Sequence, residues 1–288
     1  MIEKLAATKH LAVVSDFDGT LAGFANDIYA VHAEPRSLAA LERLAQLPDT
    51  TVAALSGRHL EGLKRVFPLR EPVLLGGSHG AESSWQDSSL SPEAQAHLDR
   101  KEAEIRELME RFPGAEIEIK PFQRVFHLRR LELSDPELAA EAYAACRALD
   151  PAGFPMTAGK SVIEFSATQA TKGSWISELR ERVGATATVF LGDDVTDEDG
   201  FAVLNQPPDL GVKVGEGETL AAHRVPDIAA VSDFLEELAA ARAVHLGALA
   251  AAAPDQIGFE ADVGVTAPRR SALDRLQQEA VALALGEL

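Results

Sequence analysis

Short apolar runs recur along this chain and end abruptly in polar or glycine-containing turns. "LAVV" stops at Ser15 and Asp16, "TVAAL" at Ser56, "PVLL" at Gly76, and "TVFL" at Gly192 and Asp193. Runs of this length, rich in β-branched residues or leucine and without alternation, read as strands buried on both faces of a parallel sheet. Between them the period is helical. Leu38, Leu41 and Leu44 share a face in "SLAALERLAQL", and Leu60, Leu63 and Phe67 share one in "LEGLKRVF". Strands alternating with helices predict an α/β protein with a doubly wound, Rossmann-like parallel-sheet core. Such sheets bind ligands outside the carboxyl ends of their strands, which here carry aspartate, serine, glycine and aspartate.

The pattern changes between roughly Ser91 and Phe165. A long charged helix, "SPEAQAHLDRKEAEIRELMERF", leads into "AEIEIKP", where glutamates alternate with apolar residues in strand period. "RVFHLRRLEL" reads as a second strand, "PELAAEAYAACRAL" as a helix and "SVIEF" as a third strand. Strands with one wet face imply an open-faced antiparallel sheet with helices behind it, an α+β domain inserted into the first. The expected division is a core of 1–110 and 168–240, an inserted domain of 111–167, and a helical extension of 241–288. The extension is alanine-rich, then loop-like, then helical from a cap at Ser271 through Leu273, Leu276 and Leu283. It carries no recognisable chemistry and reads as a packing or oligomerisation appendage.

Charge narrows the partners. With 27 Lys and Arg against 45 Asp and Glu in 288 residues, the formal charge is -18. Such a surface repels nucleic acid and anionic membranes, so neither is an expected partner. It also opposes an anionic small molecule, so a phosphate site here needs its own local positive charge. The single cysteine, Cys146, excludes an internal disulfide and reads as a buried thiol. No apolar run reaches the ~18 residues of a membrane span and the first residues lack a signal-peptide core, so the expected location is the cytoplasm. The sequence leaves the oligomeric state open.

The chemistry concentrates in "VVSDFDGTLAG". If the strand runs on to Asp18, Asp16 and Asp18 point to one side of it, an arrangement that is unfavourable without a cation. A hard cation with oxygen ligands, Mg²⁺ foremost, resolves the repulsion and suits a phosphate-bearing substrate. A second acidic cluster, "GDDVTDEDG", follows "TVFL" at the same sheet edge and supplies Asp193, Asp194 and Asp197. The spacing of neither cluster fits a calcium loop. Ser56, followed by Gly57 and a helix, and Lys172, at the start of another helix, offer donors to phosphate oxygens. "GGSHG" matches the Gly-x-Ser-x-Gly nucleophile elbow, but no helical period follows it, so it reads as a chance match with His79 as a turn or rim residue open to a substrate contact.

In this order "DFDGTL", "SGR", "TKG" and "GDDVTDEDGF" resemble the haloacid dehalogenase superfamily of phosphotransferases. The resemblance implies that Asp16 is a nucleophile forming an aspartyl-phosphate and that Asp18 is a general acid and then base. It implies that Ser56 and Lys172 bind phosphate, with Gly57 and Arg58 among the substrate-binding residues. It also implies that Asp193 holds Mg²⁺ with Asp16 and the backbone carbonyl of Asp18, while Asp194 and Asp197 are supporting acids.

The insertion between the serine and lysine motifs is placed like the cap of the superfamily's sugar phosphatases. "GSHGAE", "GAEIEIKPFQRVFHLRR", "GKSVIEF" and "FLGDDVTDEDGFAVLN" resemble the trehalose-phosphatase family over about Leu11 to Leu238. That resemblance implies that Glu118, Lys120 and Glu164 grip sugar hydroxyls. His127 and Arg129 match a family His-x-Arg strand without a firm role. Ser166 and Ala167 stand where family members commonly carry a basic residue and proline. The expected function is Mg²⁺-dependent hydrolysis of trehalose 6-phosphate, with a small sugar phosphate as the partner. Alternatives are a phosphatase for sucrose phosphate, glucosylglycerol phosphate or mannosylglycerate phosphate, a phosphohexomutase, or a sugar-phosphate-binding protein without turnover.

Overall fold

The computed structural model describes residues 1–252 apart from 26, 28, 88 and 205. The chain opens with α1 (Ile2–Ala6), β1 (Leu11–Ser15), α2 (Pro35–Gln46), β2 (Thr50–Leu55), α3 (Leu60–Val66), β3 (Leu74–Gly77) and β4 (Glu82–Ser83). An inserted section follows: α4 (Pro92–Arg111), β5 (Glu116–Lys120), β6 (Gln123–His127), α5 (Arg129–Ser134), α6 (Pro136–Arg147), β7 (Met156–Gly159) and β8 (Val162–Ser166). The chain then returns through α7 (Lys172–Val183), β9 (Ala187–Gly192), α8 (Glu198–Ala202), β10 (Leu210–Val214), β11 (His223–Val225) and α9 (Ile228–Ala252).

The first sheet has seven strands in the order β11-β10-β9-β1-β2-β3-β4, parallel except for β4. Burial on both faces explains the unbroken apolar runs. Val13 of β1 belongs to one buried cluster with Leu41 of α2 and Leu235 of α9, while Val14 belongs to another with Trp175 and Ile176 of α7. Pro35 at the head of α2 cannot donate the amide that a helix start leaves unused anyway, and Ala40, Leu41 and Leu44 form its buried stripe. The chain leaves β1 for β2 and β3 and later returns to place β9 on β1's other side. That reversal opens a crevice at the carboxyl ends of β1 and β9.

The second sheet is antiparallel throughout, in the order β5-β6-β8-β7. Three differences from the sequence reading have physical causes. "LRRLEL" does not extend the second strand. It turns into α5, whose one buried residue, Leu131, joins the cluster behind the sheet, and Asp135 then accepts from the Leu138 amide to start α6. A fourth strand, β7, pairs with β8, its partly exposed "MTAG" lacking an apolar signal. Finally, the expected boundary at 110 cuts the end of α4 from the inserted section, whose cluster its Ile105 and Leu108 join with Phe126 and Ile163. Cys146 is buried in that cluster as a free thiol.

The extension expected from 241 is continuous with α9 through Ala252. Arg242 is fully buried and donates to the carbonyls of Ala6, Thr8, Lys9 and Asp49, binding α9 to the amino-terminal edge of the first sheet. The helix expected from Ser271 lies outside the described residues. Among the described residues, no helix is long and apolar enough to cross a membrane.

Candidate active site

Strand β1 ends at Ser15 rather than running to Asp18, so strand alternation is not what brings the two acids together. Asp16 lies at the strand's end, its amide donating to the Leu191 carbonyl of β9. The chain then turns, and the Leu21 and Ala22 amides both donate to the Phe17 carbonyl. Gly19 makes that turn possible. Its φ is +83°, and a Cβ there would come within 2.1 Å of the Asp193 carboxylate, so only glycine lets the loop approach the second acidic cluster.

At the end of β9 the chain forms a 3₁₀ turn, Val195–Asp197, and the Asp194 amide donates to Asp197 Oδ2 at 2.8 Å. Gly192 leaves room beneath this turn, because a Cβ there would lie 2.3 Å from the Asp197 carboxyl carbon. Asp197 is fully buried. Thr171 and Ser174 form a capping box that starts α7, and Lys172 is its first residue. From there Lys172 Nζ donates to Asp16 Oδ1 at 2.7 Å and to Asp197 Oδ1 at 2.6 Å.

Among the described residues, Asp16, Asp193 and Asp197 are a carboxylate set whose oxygens lie within 4.8 Å of one another and could hold a cation. Burial pushes the Asp16 carboxyl up to about 8; Lys172 pulls it down and Asp197 pushes it further up. Burial, then Asp197 and Asp194, raise Asp193 to about 6. Burial opposes the Lys172 charge, but Asp16 and Asp197 outweigh it, so its pKa lies above that of free lysine. One ammonium thus pairs with two of the three crowded carboxylates, while Lys213, which donates to the Asp193 carbonyl, pulls the Asp193 carboxyl down.

Asp18 is held differently. Arg58 grips it with a two-pronged fork, Nε to Oδ2 and a terminal nitrogen to Oδ1, both at 2.7 Å. Ser56 follows β2 and its Oγ accepts from the Arg58 amide at 3.1 Å. The helix expected straight after Gly57 begins instead at Leu60, because His59 is its cap: Nδ1 accepts from the Gly62 amide at 3.0 Å.

A cavity of about 570 Å³ joins these groups, lined by Asp16, Asp18, Ser56, Gly57, Arg58, Lys172, Asp193 and Asp194. Glu118 and Lys120 line its opposite side. Strand period puts both on the same face of β5. Lys120 lies 4.0 Å from Glu118 and 3.6 Å from Glu164 on β8. His127 donates to Glu118 at 3.0 Å and is the main reason that carboxyl lies below its usual range. Burial raises Glu164, with Lys120 pulling the other way. Arg129 pairs with Glu132 on α5 rather than lining the cavity.

Ser78 of "GGSHG" is buried and donates to Glu82 at 2.6 Å, and a 3₁₀ turn follows β3 in place of a helix, so the nucleophile-elbow reading falls. His79 is more than a rim residue. Its ring packs against Gly57 and lines the cavity, and burial, with Lys172 and Lys120 nearby, pushes its pKa down to about 4. The sequence reading missed His59, Thr196, Phe24 and Tyr29, which also line the cavity. The only signal for His59 was its place directly after "SGR".

Residues 14–225 match a family model described as trehalose-phosphatase. The trehalose-6-phosphate phosphatase of Escherichia coli K12 is 31% identical over 253 residues, covering 84% of this chain and 92% of that protein. A trehalose-phosphate phosphatase of Mycolicibacterium paratuberculosis is 33% identical over 252 residues, 81% of this chain but only 63% of that longer protein. The C-terminal domain of C. albicans trehalose-6-phosphate phosphatase superposes with a TM-score of 0.66 at 22% identity, over 83% of this chain and 94% of that domain, a likeness of fold. With most of its length inside one family model and a relative this similar across nearly its whole span, the chain belongs to the trehalose-phosphatase family of the haloacid dehalogenase superfamily.

Proposed function

We propose that this chain is a Mg²⁺-dependent phosphatase that hydrolyses trehalose 6-phosphate to trehalose and phosphate. The observation that carries the reading is Lys172, buried between Asp16 and Asp197 at the floor of a cavity whose other side holds Glu118 and Lys120. Such a site pairs a phosphate end with a hydroxyl-binding end, and the named substrate of the E. coli relative has both. The all-oxygen donor set fits a hard divalent cation, and burial together with neighbouring carboxylates raises Asp16 and Asp193, a cost that a bound cation would offset. Asp16, Asp193 and the backbone carbonyl of Asp18 would hold Mg²⁺. When bound, the ion neutralises carboxylate and phosphate oxygens so that they can meet. Asp197, committed to Lys172 and the Asp194 amide, supports from behind.

Lys172 and the Ser56 hydroxyl bind phosphate oxygens; the Ser56 oxygen already accepts from Arg58, which leaves its proton to donate. Asp16 attacks phosphorus and the bond from phosphorus to the sugar oxygen breaks. Asp18 gives that oxygen a proton, and an aspartyl-phosphate remains. A water molecule then passes a proton to Asp18 and attacks phosphorus, the bond to Asp16 breaks, and phosphate leaves. In this structure the Arg58 fork holds both oxygens of Asp18, and Asp18 must free one of them from the fork to carry the proton in either transfer. Glu118, Glu164 and Lys120 serve sugar hydroxyls, two as acceptors and one as donor.

Purified protein with Mg²⁺ is expected to release phosphate from trehalose 6-phosphate in preference to glucose 6-phosphate and sucrose 6-phosphate. Efficient hydrolysis of a different sugar phosphate with none of trehalose 6-phosphate overturns the substrate assignment. Absence of phosphate release from every ester overturns the phosphatase reading itself.

A further inference from the structure

The cavity is not uniformly polar. Its apolar side chains, Phe24, Ala25, Tyr29 and Val31, all come from the segment between the Asp16 turn and α2; every other lining residue is charged, polar or glycine. Phe24 is 79% exposed, a large fraction for a phenylalanine in a chain that buries most of its aromatic rings. It also borders a second cavity of about 360 Å³, so its ring stands between two open volumes. Tyr29 is fixed from behind: the Arg65 guanidinium lies 4.1 Å from its ring centroid, a cation–π contact that anchors the segment to α3. The same helix presents His59, at its cap, and Gly62 to the cavity. Because His59 Nδ1 accepts from the Gly62 amide, the proton of the neutral ring sits on Nε2, which is left as a donor.

We infer that Phe24 and Tyr29, as an aromatic wall flanked by Ala25 and Val31, with His59 as an adjacent donor, form a subsite for the second, unphosphorylated pyranose ring of a disaccharide phosphate. A volume of about 570 Å³ falls well inside the range of about 300–1,000 Å³ typical of small-molecule sites and has room for two sugar rings. The phosphorylated ring is tethered by its ester to the Asp16 and Lys172 end, and the carboxylates of the inserted sheet accept only from hydroxyls. A pyranose also has a face of C–H groups carrying slight positive charge. The negative face of an aromatic ring complements it, which a purely polar wall does not. The wall therefore discriminates a disaccharide ester from a monosaccharide ester with the same phosphate.

The inference rests on the trehalose 6-phosphate reading, and the two fail separately. The test compares kcat/KM of the wild type, Phe24→Ala, Tyr29→Ala and Leu133→Ala on trehalose 6-phosphate and glucose 6-phosphate; Leu133 is an exposed apolar residue on α5, outside the cavity. Phe24→Ala is expected to lose about tenfold on the disaccharide ester through KM, with a change under about twofold on the monosaccharide ester. Tyr29→Ala should follow in the same direction, Tyr29→Phe should retain the wild-type ratio, and Leu133→Ala should change neither substrate. An unchanged ratio in Phe24→Ala and Tyr29→Ala, or equal losses on both esters, overturns the subsite. If the wild type does not cleave trehalose 6-phosphate, the substrate reading has failed and sucrose 6-phosphate replaces it in the same comparison. A wild type that cleaves neither disaccharide ester leaves the wall without a second ring to hold and overturns the inference as well.

Discussion

Two charged clusters face the same cavity and are built differently. Around Asp16 the ion-paired side chains are almost sealed: Lys172 is 2% and Asp197 0% exposed. On the inserted sheet Lys120 is 14% and Glu118 39% exposed, and Glu164, which does not itself line the cavity but lies beside Lys120, is 19% exposed. Away from water a fixed charge acts at full strength and needs no reorganisation as charge moves on phosphorus, which is what phosphoryl transfer requires. A half-wet cluster is weaker and more adaptable, and it can exchange water for sugar hydroxyls at little cost. Under the proposed function the contrast puts reactivity on the dry cluster and selection on the half-wet one.

The strongest way to break the comparison is Asp16→Asn, which keeps shape and removes the attacking oxygen. A loss of at least about 10³-fold in kcat is expected, with folding intact by circular dichroism. Retained turnover would move the reaction elsewhere.

A pH series on the metal-free protein sharpens it next. Asp16 has a folded pKa of about 8 against 3.8 for an unperturbed aspartate, so between those values the folded state holds a proton that the unfolded chain has released. Stability should therefore fall as pH rises from about 4 to 8, and this slope should flatten in Asp16→Asn. Mg²⁺ competes with the same protons, and with Asp193 raised to about 6 its affinity should drop below that pH. Thermal melts with chelator and with Mg²⁺ at pH 6 and pH 8 check the sign: the metal should raise Tm more at pH 8.

The smallest expected effect lies on the wet side. Lys120→Ala should raise KM for trehalose 6-phosphate about tenfold or more while leaving kcat on a small phosphate ester near the wild-type value. Equal losses on both substrates would place Lys120 in the phosphate chemistry and erase the distinction.

The sequence was most readable where burial on two faces imposed continuous apolar runs. All four strands around the site were visible in this way, and three of them end where expected, before Asp16, Ser56 and Asp193; β3 runs on through Gly76 to Gly77, two glycines that carry no apolar signal. It was least readable in short, half-exposed elements. Strand β7 has too few apolar residues to show a period, and α5 buries only Leu131. Within the site, "GDDVTDEDG" offered several equivalent acids. That Asp197 is the one beneath Lys172 follows from the 3₁₀ turn and the space at Gly192, neither of which has a linear signature.

By itself the sequence determined which residue types end each strand, and hence where the chemistry collects, because apolar periodicity and the polar turn that interrupts it are properties of neighbours along the chain. Only the tertiary structure decided the partnerships. Asp18 with Arg58 is a contact across 40 positions and Asp16 with Lys172 across 156, and Glu118 and Phe24 share a cavity only after the inserted sheet is placed over the core. Charge pairing and burial depend on distance in space, and distance in space is fixed only once the layers have packed.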